Sequence, residues 1–231
     1  MGAAGRSAVR SRLRSLVEGW RRAPGRSSLH GVALFIALLL FPYGDTSGRS
    51  TATDEPGAES LAGRLLVSTP TMRDPTFATT VIYLIAHEPQ GAMGLVVNRR
   101  AREVTFAELF KVLGVEPGEA AGKIAVYSGG PVEPERGFLL HSPDVMLKDS
   151  TALPSGVAMT NDPAMLQAIA AGKGPAQHLF AFGYAGWGAK QLETEIARGD
   201  WFTMPADPAL IFAEDPDRTW ERAQERRPTT L

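Results

Sequence analysis

Apolar residues in the larger, C-terminal part of the chain follow two kinds of pattern, and the first kind predicts strands. TVIYLIAH (residues 80–87) is rich in β-branched and aromatic residues and is apolar on both alternating faces, as expected for a central strand. AMGLVVN (residues 92–98) follows after the short turn EPQG, so the two segments predict a hairpin. Further strands are predicted in GRLLVSTP, KIAVYSGG, RGFLLHSP, GVAMT and AQHLFAFGY.

The second kind of pattern has the helical period and predicts three helices. Thr105 and Glu108 have the spacing of a capping box, and an apolar face follows before Gly114 ends the helix. That face consists of Phe106, Leu109, Phe110 and Leu113. Residues 163–171 and 188–198 predict the second and third helices, each of which ends before a glycine.

Aspartate is followed by proline four times, and each pair predicts the start of a helix. The carboxylate accepts hydrogen bonds from unpaired amides at a helix N-terminus, and proline suits the first helical position. The four pairs begin at Asp74, Asp162, Asp207 and Asp215. This assignment removes four carboxylates from the set of catalytic candidates. Hairpins mixed with helices, in place of strict alternation of strand and helix, predict a single domain of the α+β class.

The pattern changes towards the N-terminus. Residues 1–28 carry seven arginines and one glutamate, residues 29–43 include the apolar run VALFIALLLF, and residues 44–60 are small, polar and acidic. This order is typical of an export signal, and the apolar run is shorter than the roughly 20 residues that a membrane helix needs. The alternative is that residues 1–60 lie upstream of the true start of the protein, because such sequence would have a similar Ala-, Arg- and Gly-rich character. We expect a disordered linker over 44–60, a folded domain over 61–226 and a tail over 227–231.

Composition excludes several kinds of chemistry. The sequence has no cysteine, which excludes disulfides, thiolate metal sites and cysteine nucleophiles. Residues 61–231 carry 16 Lys and Arg against 20 Asp and Glu and contain no recognisable reading helix, which argues against direct nucleic-acid binding. His87, His141 and His178 do not have the spacing of a metal motif, so we expect no metal and no cofactor. Any membrane contact would run through residues 29–43.

The segment FAFGYAGWGAKQLETEIARGDW (residues 180–201) joins a strand to a helix through Gly183, Gly186 and Gly188, and it has three interpretations. A phosphate-binding loop would use amides at the helix N-terminus, but the glycine spacing is not that of a dinucleotide motif or a P-loop. A nucleophile elbow needs a serine, which the junction lacks. We favour a packed corner, in which the glycines let a helix that carries Trp187 approach the sheet closely.

Ser128 and His141 are the obvious nucleophile and base to consider elsewhere. If KIAVYS and RGFLLH form a simple hairpin, Ser128 lies opposite Arg136 and His141 lies opposite Lys123. Five residues of strand, about 17 Å, would then separate the two side chains, far beyond the reach of proton transfer. We therefore assign no catalytic residue.

The same hairpin would place Arg136 beside Gly129 and Gly130. Two glycine amides and a guanidinium can hold a carboxylate or a phosphate. The alternative, which we favour, is that Arg136 pairs with Glu133 or Glu135 and that the glycines only shape the turn.

Three long stretches resemble the YqgE/AlgH family of bacterial proteins. They are STPTMRDPTFATTVIYLIAHEPQGAMGLVVNRR (residues 68–100), SGGPVEPERGFLLHSPD (residues 128–144) and FGYAGWGAKQLETEIARGDWFTMPAD (residues 182–207). The resemblance covers residues 61–226 and implies a curled mixed sheet, partly barrel-like, with peripheral helices. It implies no established enzyme activity, and the family takes its name from a proposed regulatory role in alginate synthesis. It also implies a cytoplasmic location, whereas residues 1–43 suggest export or a membrane anchor.

Together these observations predict a non-catalytic, cytoplasmic regulatory or binding protein that affects transcription only indirectly. It would act through an unknown protein partner or a small ligand, and its oligomeric state stays open. The alternative is a protein that binds or converts a nucleotide or another phosphorylated metabolite. Its candidate ligand-binding residues are Gly129, Gly130, Arg136, Gly183, Gly186, Trp187 and Gly188.

Overall fold

A computed structural model of the protein describes residues 60–116 and 120–227. Ten strands are found in these residues: β1 Arg64–Ser68, β2 Val81–Glu88, β3 Gly91–Val96, β4 Arg100–Thr105, β5 Lys123–Ser128, β6 Val132–His141, β7 Thr151–Leu153, β8 Val157–Thr160, β9 His178–Gly188 and β10 Trp201–Pro205. The described residues also form five α-helices: α1 Phe106–Leu113, α2 Pro163–Ala170, α3 Gln191–Ala197, α4 Pro208–Ile211 and α5 Thr219–Glu225.

The strands form one strongly curled, half-barrel sheet with the order β10-β1-β2-β3-β9-β6-β8-β7. All pairs along this path are antiparallel. Strand β5 runs parallel to the first half of β9 and carries β4 on its other edge. The sheet is therefore mixed, and the predicted α+β class with peripheral helices is confirmed.

Local sequence signals predicted two of these features well. Strands β2 and β3 form the expected hairpin, with Tyr83 opposite Leu95. Helix α1 has the expected capping box, because the Thr105 amide donates to Glu108 Oε2 at 2.8 Å and the Glu108 amide donates to Thr105 Oγ1 at 3.2 Å. The helix ends at Gly114, whose φ of 67° is the left-handed conformation of a C-terminal cap.

The four Asp-Pro pairs have different outcomes. Asp162 and Asp207 cap α2 and α4 by accepting a hydrogen bond from a backbone amide, as predicted. Asp215 precedes a short 3-10 helix, Pro216–Arg218, without a side-chain cap. At Asp74 the prediction of a helix is wrong: its carboxylate accepts from the Thr76 amide at 2.8 Å and closes a turn.

The expected pairing of KIAVYS with RGFLLH does not occur, because each of these segments pairs with strand β9. It lies between β5 and β6, so the simple hairpin of these two strands is wrong. The chain leaves β5 and crosses β9 at Gly129 and Gly130, and the Gly129 amide donates to the Phe182 carbonyl oxygen at 2.7 Å. It then joins the opposite edge of β9, where Val132 pairs with Tyr184. We call this contact of residues 129–130 with residues 182–185 the glycine crossing.

The core of the described domain includes two hydrophobic clusters at different places along β9, and further buried residues belong to neither of them. One packs α1 and α2 against β5, β6 and the start of β9, and it includes Phe110, Leu139, Met165 and Phe180. The other packs α3 against β1, β2, β3 and the end of β9, and it includes Leu66, Leu84, Trp187, Leu192 and Trp201. The two halves of β9 thus serve different clusters.

Within the described residues, every helix is too short or too polar to cross a membrane. The predicted export or anchor segment, residues 29–43, and the predicted linker, residues 44–60, lie outside these residues except for Ser60. The boundaries given above for the domain and its flanking segments remain predictions.

Candidate functional site

A cavity of about 520 Å³ lies where the end of β9 meets α3, the start of β10 and the loop of residues 69–80. Its walls carry three aromatic side chains, Phe77, Trp187 and Trp201, and five charged ones. We call it the aromatic cavity. The two tryptophans are almost completely buried in the surrounding core, with 7% and 3% of their surface exposed, and Phe77 is half-buried on the loop above them.

Two of the three ring pairs in the aromatic cavity are steeply inclined, and the third is stacked. The ring centroids of Trp187 and Trp201 lie 6.1 Å apart with planes at 81°, and those of Phe77 and Trp201 lie 5.6 Å apart at 65°. Phe77 stacks on Trp187 at 6.4 Å. Edge-to-face and offset contacts of this kind are the favoured geometries of aromatic pairs, so the rings hold one another in a fixed arrangement.

Glu195 fixes both tryptophans. Its Oε2 atom accepts hydrogen bonds from the indole Nε1 of Trp187 and the indole Nε1 of Trp201, each at 2.9 Å. Its Oε1 atom accepts from Gln191 Nε2 at 2.9 Å, and Gln191 Oε1 accepts from the Gly188 amide at 3.0 Å. Because Gln191 and Glu195 are four residues apart on α3, they share one face of the helix. The helix therefore anchors the indole rings through a single carboxylate.

The remaining charges of the aromatic cavity are unevenly paired. Arg198 forms an ion pair with Asp200, next to the start of β10. Arg73 and Asp74 lie on the loop, where both are exposed. With Glu195, the walls carry three carboxylates against two guanidinium groups, an excess of one negative charge.

The loop that carries Phe77 is held at both ends. At its start, Thr69 Oγ1 donates to the Gly199 carbonyl oxygen at 2.7 Å. At its end, Asn98 Nδ2 donates to the Thr79 carbonyl oxygen at 2.9 Å, and Asn98 Oδ1 accepts from the Val81 amide at 2.8 Å. Thr79 has a φ of 55°, which is strained for a β-branched residue. The strain is maintained by these hydrogen bonds, and it places Phe77 over the tryptophans.

The structure divides the sequence-predicted ligand residues between two places. Gly186 and Trp187 line the aromatic cavity, and Gly188 donates to Gln191 beside it. Trp187 lies on β9 and not on the following helix, which begins only at Gln191. The packed-corner interpretation is therefore corrected in one respect, since the residues after Gly183 continue the strand.

Gly129, Gly130 and Gly183 form the glycine crossing, away from the lining of the aromatic cavity. A methyl group on Gly183 would lie 2.3 Å from the Gly130 carbonyl oxygen, and one on Gly130 would lie 2.1 Å from the Tyr184 carbonyl carbon. These glycines thus allow two backbones to cross in contact.

Arg136 is buried and its Nη1 donates to Glu133 Oε2 at 2.8 Å, which confirms the ion pair expected for it. Its guanidinium also lies 5.1 Å from the centre of the Phe138 ring. The binding roles proposed from sequence for Arg136 and for the glycines of the crossing stay predictions.

Sequence reasoning missed Glu195, Phe77 and Trp201 as members of the site. Gln191 and Glu195 have helical spacing, and a tryptophan lies shortly before and shortly after them, at Trp187 and Trp201. The sequence shows this spacing, but it does not show that both indole N–H groups donate to the carboxylate of Glu195. Phe77 lies 110 residues before Trp187, so only the fold brings them together.

Ser128 and His141 do not meet, although for a different reason from the one expected. Ser128 pairs with Phe182 on one edge of β9, whereas His141 pairs with His178 on the other edge. His141 is completely buried, its Nδ1 atom lies 2.8 Å from the Ser142 carbonyl oxygen, and burial lowers the pKa of its imidazole. Within residues 60–116 and 120–227, no three His, Asp or Glu side chains are grouped as a metal site.

A more open cavity of about 560 Å³ lies on the other side of the loop, between Asn98, Arg99 and Trp220. Its polar groups support the fold. Arg99 Nη2 donates to the Ala78 carbonyl oxygen at 3.0 Å, and burial lowers the pKa of its guanidinium. Trp220 Nε1 donates to the Ser68 carbonyl oxygen at 2.8 Å.

Comparison with known proteins identifies the relatives of this chain. Residues 65–230 match the protein family described as AlgH-like, DUF179. A UPF0301 protein from Jannaschia sp. (strain CCS1) is 46% identical over 165 residues, which are 71% of this chain and 86% of that protein. A UPF0301 protein from Methylococcus capsulatus is 44% identical over 167 residues, covering 72% of this chain and 91% of the relative.

Two solved structures are similar as well. The solution structure of the AlgH protein from Pseudomonas aeruginosa has 39% identity and a TM-score of 0.63, covering 76% of this chain and 92% of that one. The crystal structure of a protein from Corynebacterium diphtheriae has 26% identity and a TM-score of 0.57, covering 72% of this chain and 87% of that one.

Proposed function

Because the chain belongs to the AlgH-like family, we propose that it is a non-catalytic regulatory protein that works by binding a small ligand in the aromatic cavity. Its effect on gene expression is indirect, through the ligand-bound state of the protein. The proposal keeps the regulatory role that the family resemblance implies and assigns it to one place in the fold.

One observation carries this proposal: hydrogen bonds hold the indole rings that line the aromatic cavity in fixed positions. Glu195 accepts from both indoles, so neither ring needs to be reoriented on binding. Such preorganisation reduces the entropic cost of association. The volume of about 520 Å³ is within the range of small-molecule sites, roughly 300–1,000 Å³.

The hydrogen bonding inside the aromatic cavity supports binding more than reaction. Its one hydroxyl, that of Thr71, is hydrogen-bonded to Thr69 Oγ1 at 2.8 Å, and Glu195 is occupied by its three donors. A nucleophile needs a general base within about 3 Å of its proton. The groups here hold one another in place, and the cavity is lined by aromatic carbon atoms and by the exposed carboxylate of Asp74.

A thermal-shift panel on the full chain tests the proposed function. The panel should contain organic cations, amino acids, carboxylates, nucleotides and sugar phosphates. A ligand present at a hundredfold excess over its Kd stabilises the folded state by about 2.7 kcal/mol, which raises Tm measurably. We expect at least one compound to stabilise the protein, and we expect Phe77→Ala to remove that stabilisation. A panel without any Phe77-dependent compound would contradict the proposed site.

The same panel distinguishes this proposal from the alternative function, in which the protein binds a nucleotide or another phosphorylated metabolite. If a nucleotide or sugar phosphate binds at the glycine crossing, Arg136→Ala should remove its effect and Phe77→Ala should leave it intact. The reverse dependence supports the aromatic cavity.

A cytoplasmic location is part of the proposal and has its own test. Intact-mass analysis of the protein from its native host should show a chain without signal-peptide cleavage. A mature N-terminus near residue 49 or 53 would instead demonstrate export.

A further inference from the structure

The hydrogen bonds and charges of the aromatic cavity bear on which ligand charge it would accept, and this inference rests on the proposed function above. Inside the cavity, the groups that would normally bind an anion are already engaged. Both indole N–H groups donate to Glu195, and the Gly188 amide donates to Gln191. Arg198 is paired with Asp200. An incoming anion would therefore have to bind the exposed guanidinium groups of Arg73 and Arg198, because the indole donors and the Gly188 amide are already used.

Groups that attract a cation are still available. The faces of aromatic rings carry partial negative charge and attract ammonium groups, most strongly when the site is shielded from water. Here three rings, those of Phe77, Trp187 and Trp201, meet at 5.6–6.4 Å between centroids, and two of the three ring pairs are steeply inclined. The rings cover one another in part, so a cation would contact chiefly Phe77 and the small parts of the two indoles that line the cavity.

The charge of the walls favours the same kind of ligand. Three carboxylates face two guanidinium groups, and the Arg198–Asp200 pair neutralises itself, so Asp74 and Glu195 outweigh Arg73. In the described part of the chain, the cations that contact aromatic rings are found elsewhere: Arg136 lies against Phe138, and Arg227 lies against Phe202.

We propose that the aromatic cavity binds a small organic cation carrying a methylated ammonium group, held against Phe77 and the parts of Trp187 and Trp201 that line the cavity, beside the carboxylates of Asp74 and Glu195. The rings favour a bulky, weakly hydrated cation over a metal ion, since a metal ion needs several clustered oxygen, nitrogen or sulfur ligands and the described residues contain no such group of three side chains. Glu195 acts as the positioning residue for the indoles and contributes a half-buried negative charge.

Choline is a suitable probe because its neutral isostere, 3,3-dimethyl-1-butanol, has nearly the same shape without the charge. Isothermal titration calorimetry on the full chain should show binding of choline and of tetramethylammonium, and much weaker binding of the neutral alcohol. Removing one cation–ring contact with Phe77→Leu should weaken choline binding about tenfold, and Trp220→Phe, a tryptophan outside the aromatic cavity, should leave it unchanged.

Asp74→Asn gives a second variant that does not depend on core packing. Asparagine can still accept the hydrogen bond from the Thr76 amide, so the loop turn is retained. Loss of the charge should weaken choline binding by a few-fold. Asp217→Asn, an exposed carboxylate of the other cavity, is the matched control and should have no effect.

Two outcomes would overturn the inference while leaving the proposed function intact. Equal affinity for choline and for its neutral isostere would show an apolar pocket without charge preference. Failure of all methylated ammonium probes, while another compound of the panel binds in a Phe77-dependent manner, would show a different ligand class. If no compound depends on Phe77, the proposed function itself fails.

Discussion

The two halves of β9 use the same kinds of residue for opposite purposes. In the first half, Gly183 meets Gly129 and Gly130 so closely that no side chain fits between the two backbones. In the second half, Gly186 and Trp187 border a cavity of about 520 Å³. A methyl group on Gly186 would be 3.3 Å from its nearest neighbour, the ring of Tyr184.

This difference shows which glycines determine the fold and which border a site. At the glycine crossing, the backbone amide of Gly129 is used by the Phe182 carbonyl group, and contact between backbones lets the chain pass from one edge of β9 to the other. At the aromatic cavity, side-chain hydrogen bonds hold open a space that the backbone does not fill. Substitutions in the two halves should therefore affect different properties, stability in the first and binding in the second.

The largest effect is expected at the glycine crossing. Gly130→Ala would place a methyl group 2.1 Å from the Tyr184 carbonyl carbon, at a φ of 151° that side chains rarely adopt. Overpacking and backbone strain together should lower the free energy of unfolding by about 3 kcal/mol or more. Urea unfolding followed by circular dichroism measures this loss.

Gly114→Ala is the matched control. It also has a positive φ, 67°, but no atom lies within 4 Å of the new methyl group. Its loss of unfolding free energy should come only from the strain of the left-handed backbone conformation, about 1 kcal/mol. Equal losses for the two variants would show that close contact between backbones is not what makes the crossing sensitive.

A comparable or smaller loss is expected at Glu195. Glu195→Ala leaves the indole N–H groups of Trp187 and Trp201 buried without an acceptor, which should cost about 2–4 kcal/mol in unfolding free energy. Glu195→Gln keeps one acceptor oxygen and should cost less. Glu221→Ala, which removes only an exposed ion pair with Arg218, should cost well under 1 kcal/mol. A loss at Glu195→Ala no greater than that of Glu221→Ala would contradict the anchoring role.

Helix α1 provides a reference outside both halves of β9. Thr105→Ala removes the N-terminal cap and should cost about 1 kcal/mol, with no change in ligand binding. Differential scanning calorimetry with and without choline measures both quantities on one sample. If this variant also weakened binding, effects on stability and on the aromatic cavity would not be separable.

The smallest effect is a pH dependence at the start of β9, where His141 lies opposite His178 and close to Asp144. Burial lowers the pKa of His141, so the unfolded chain binds a proton more readily than the folded one. Stability should therefore decline as the pH falls below the ordinary imidazole pKa of about 6.5. Burial lowers the pKa of His178 in the same direction.

Urea unfolding between pH 8 and pH 5.5 measures this decline. Asp144 does not interfere, because its carboxyl pKa is lowered by the hydrogen bond from Ser142 and it titrates at more acidic pH. His141→Leu should make the profile flatter. If the stability of that variant declined as steeply with falling pH, His141 would be excluded as the source of the decline.

Local signals predicted local structure well in this protein. The capping box at Thr105, the hairpin of β2 and β3 and the caps at Asp162 and Asp207 depend on residues a few positions apart, and all are confirmed. The strand that pairs with β5 could not be predicted from such local signals. Pairing of β5 with β9 depends on residues more than fifty positions apart, and no turn signal encodes it.

The site shows the same limit. Trp187 and Gly186 were singled out from sequence, and both line the aromatic cavity. The glycine crossing was grouped with them because all these residues stand in glycine-rich turns. The fold separates the two groups, and it adds Phe77 and Glu195, whose roles depend on contacts across the domain.

The most direct test of the aromatic cavity is an NMR titration of the full chain, labelled with ¹⁵N, with the indole N–H signals assigned by substitution. We expect choline, or whichever compound of the panel binds, to shift the signals of Trp187 and Trp201 and to leave that of Trp220 in place. Binding that leaves Trp187 and Trp201 unshifted would contradict the central claim that the end of β9 forms the ligand site.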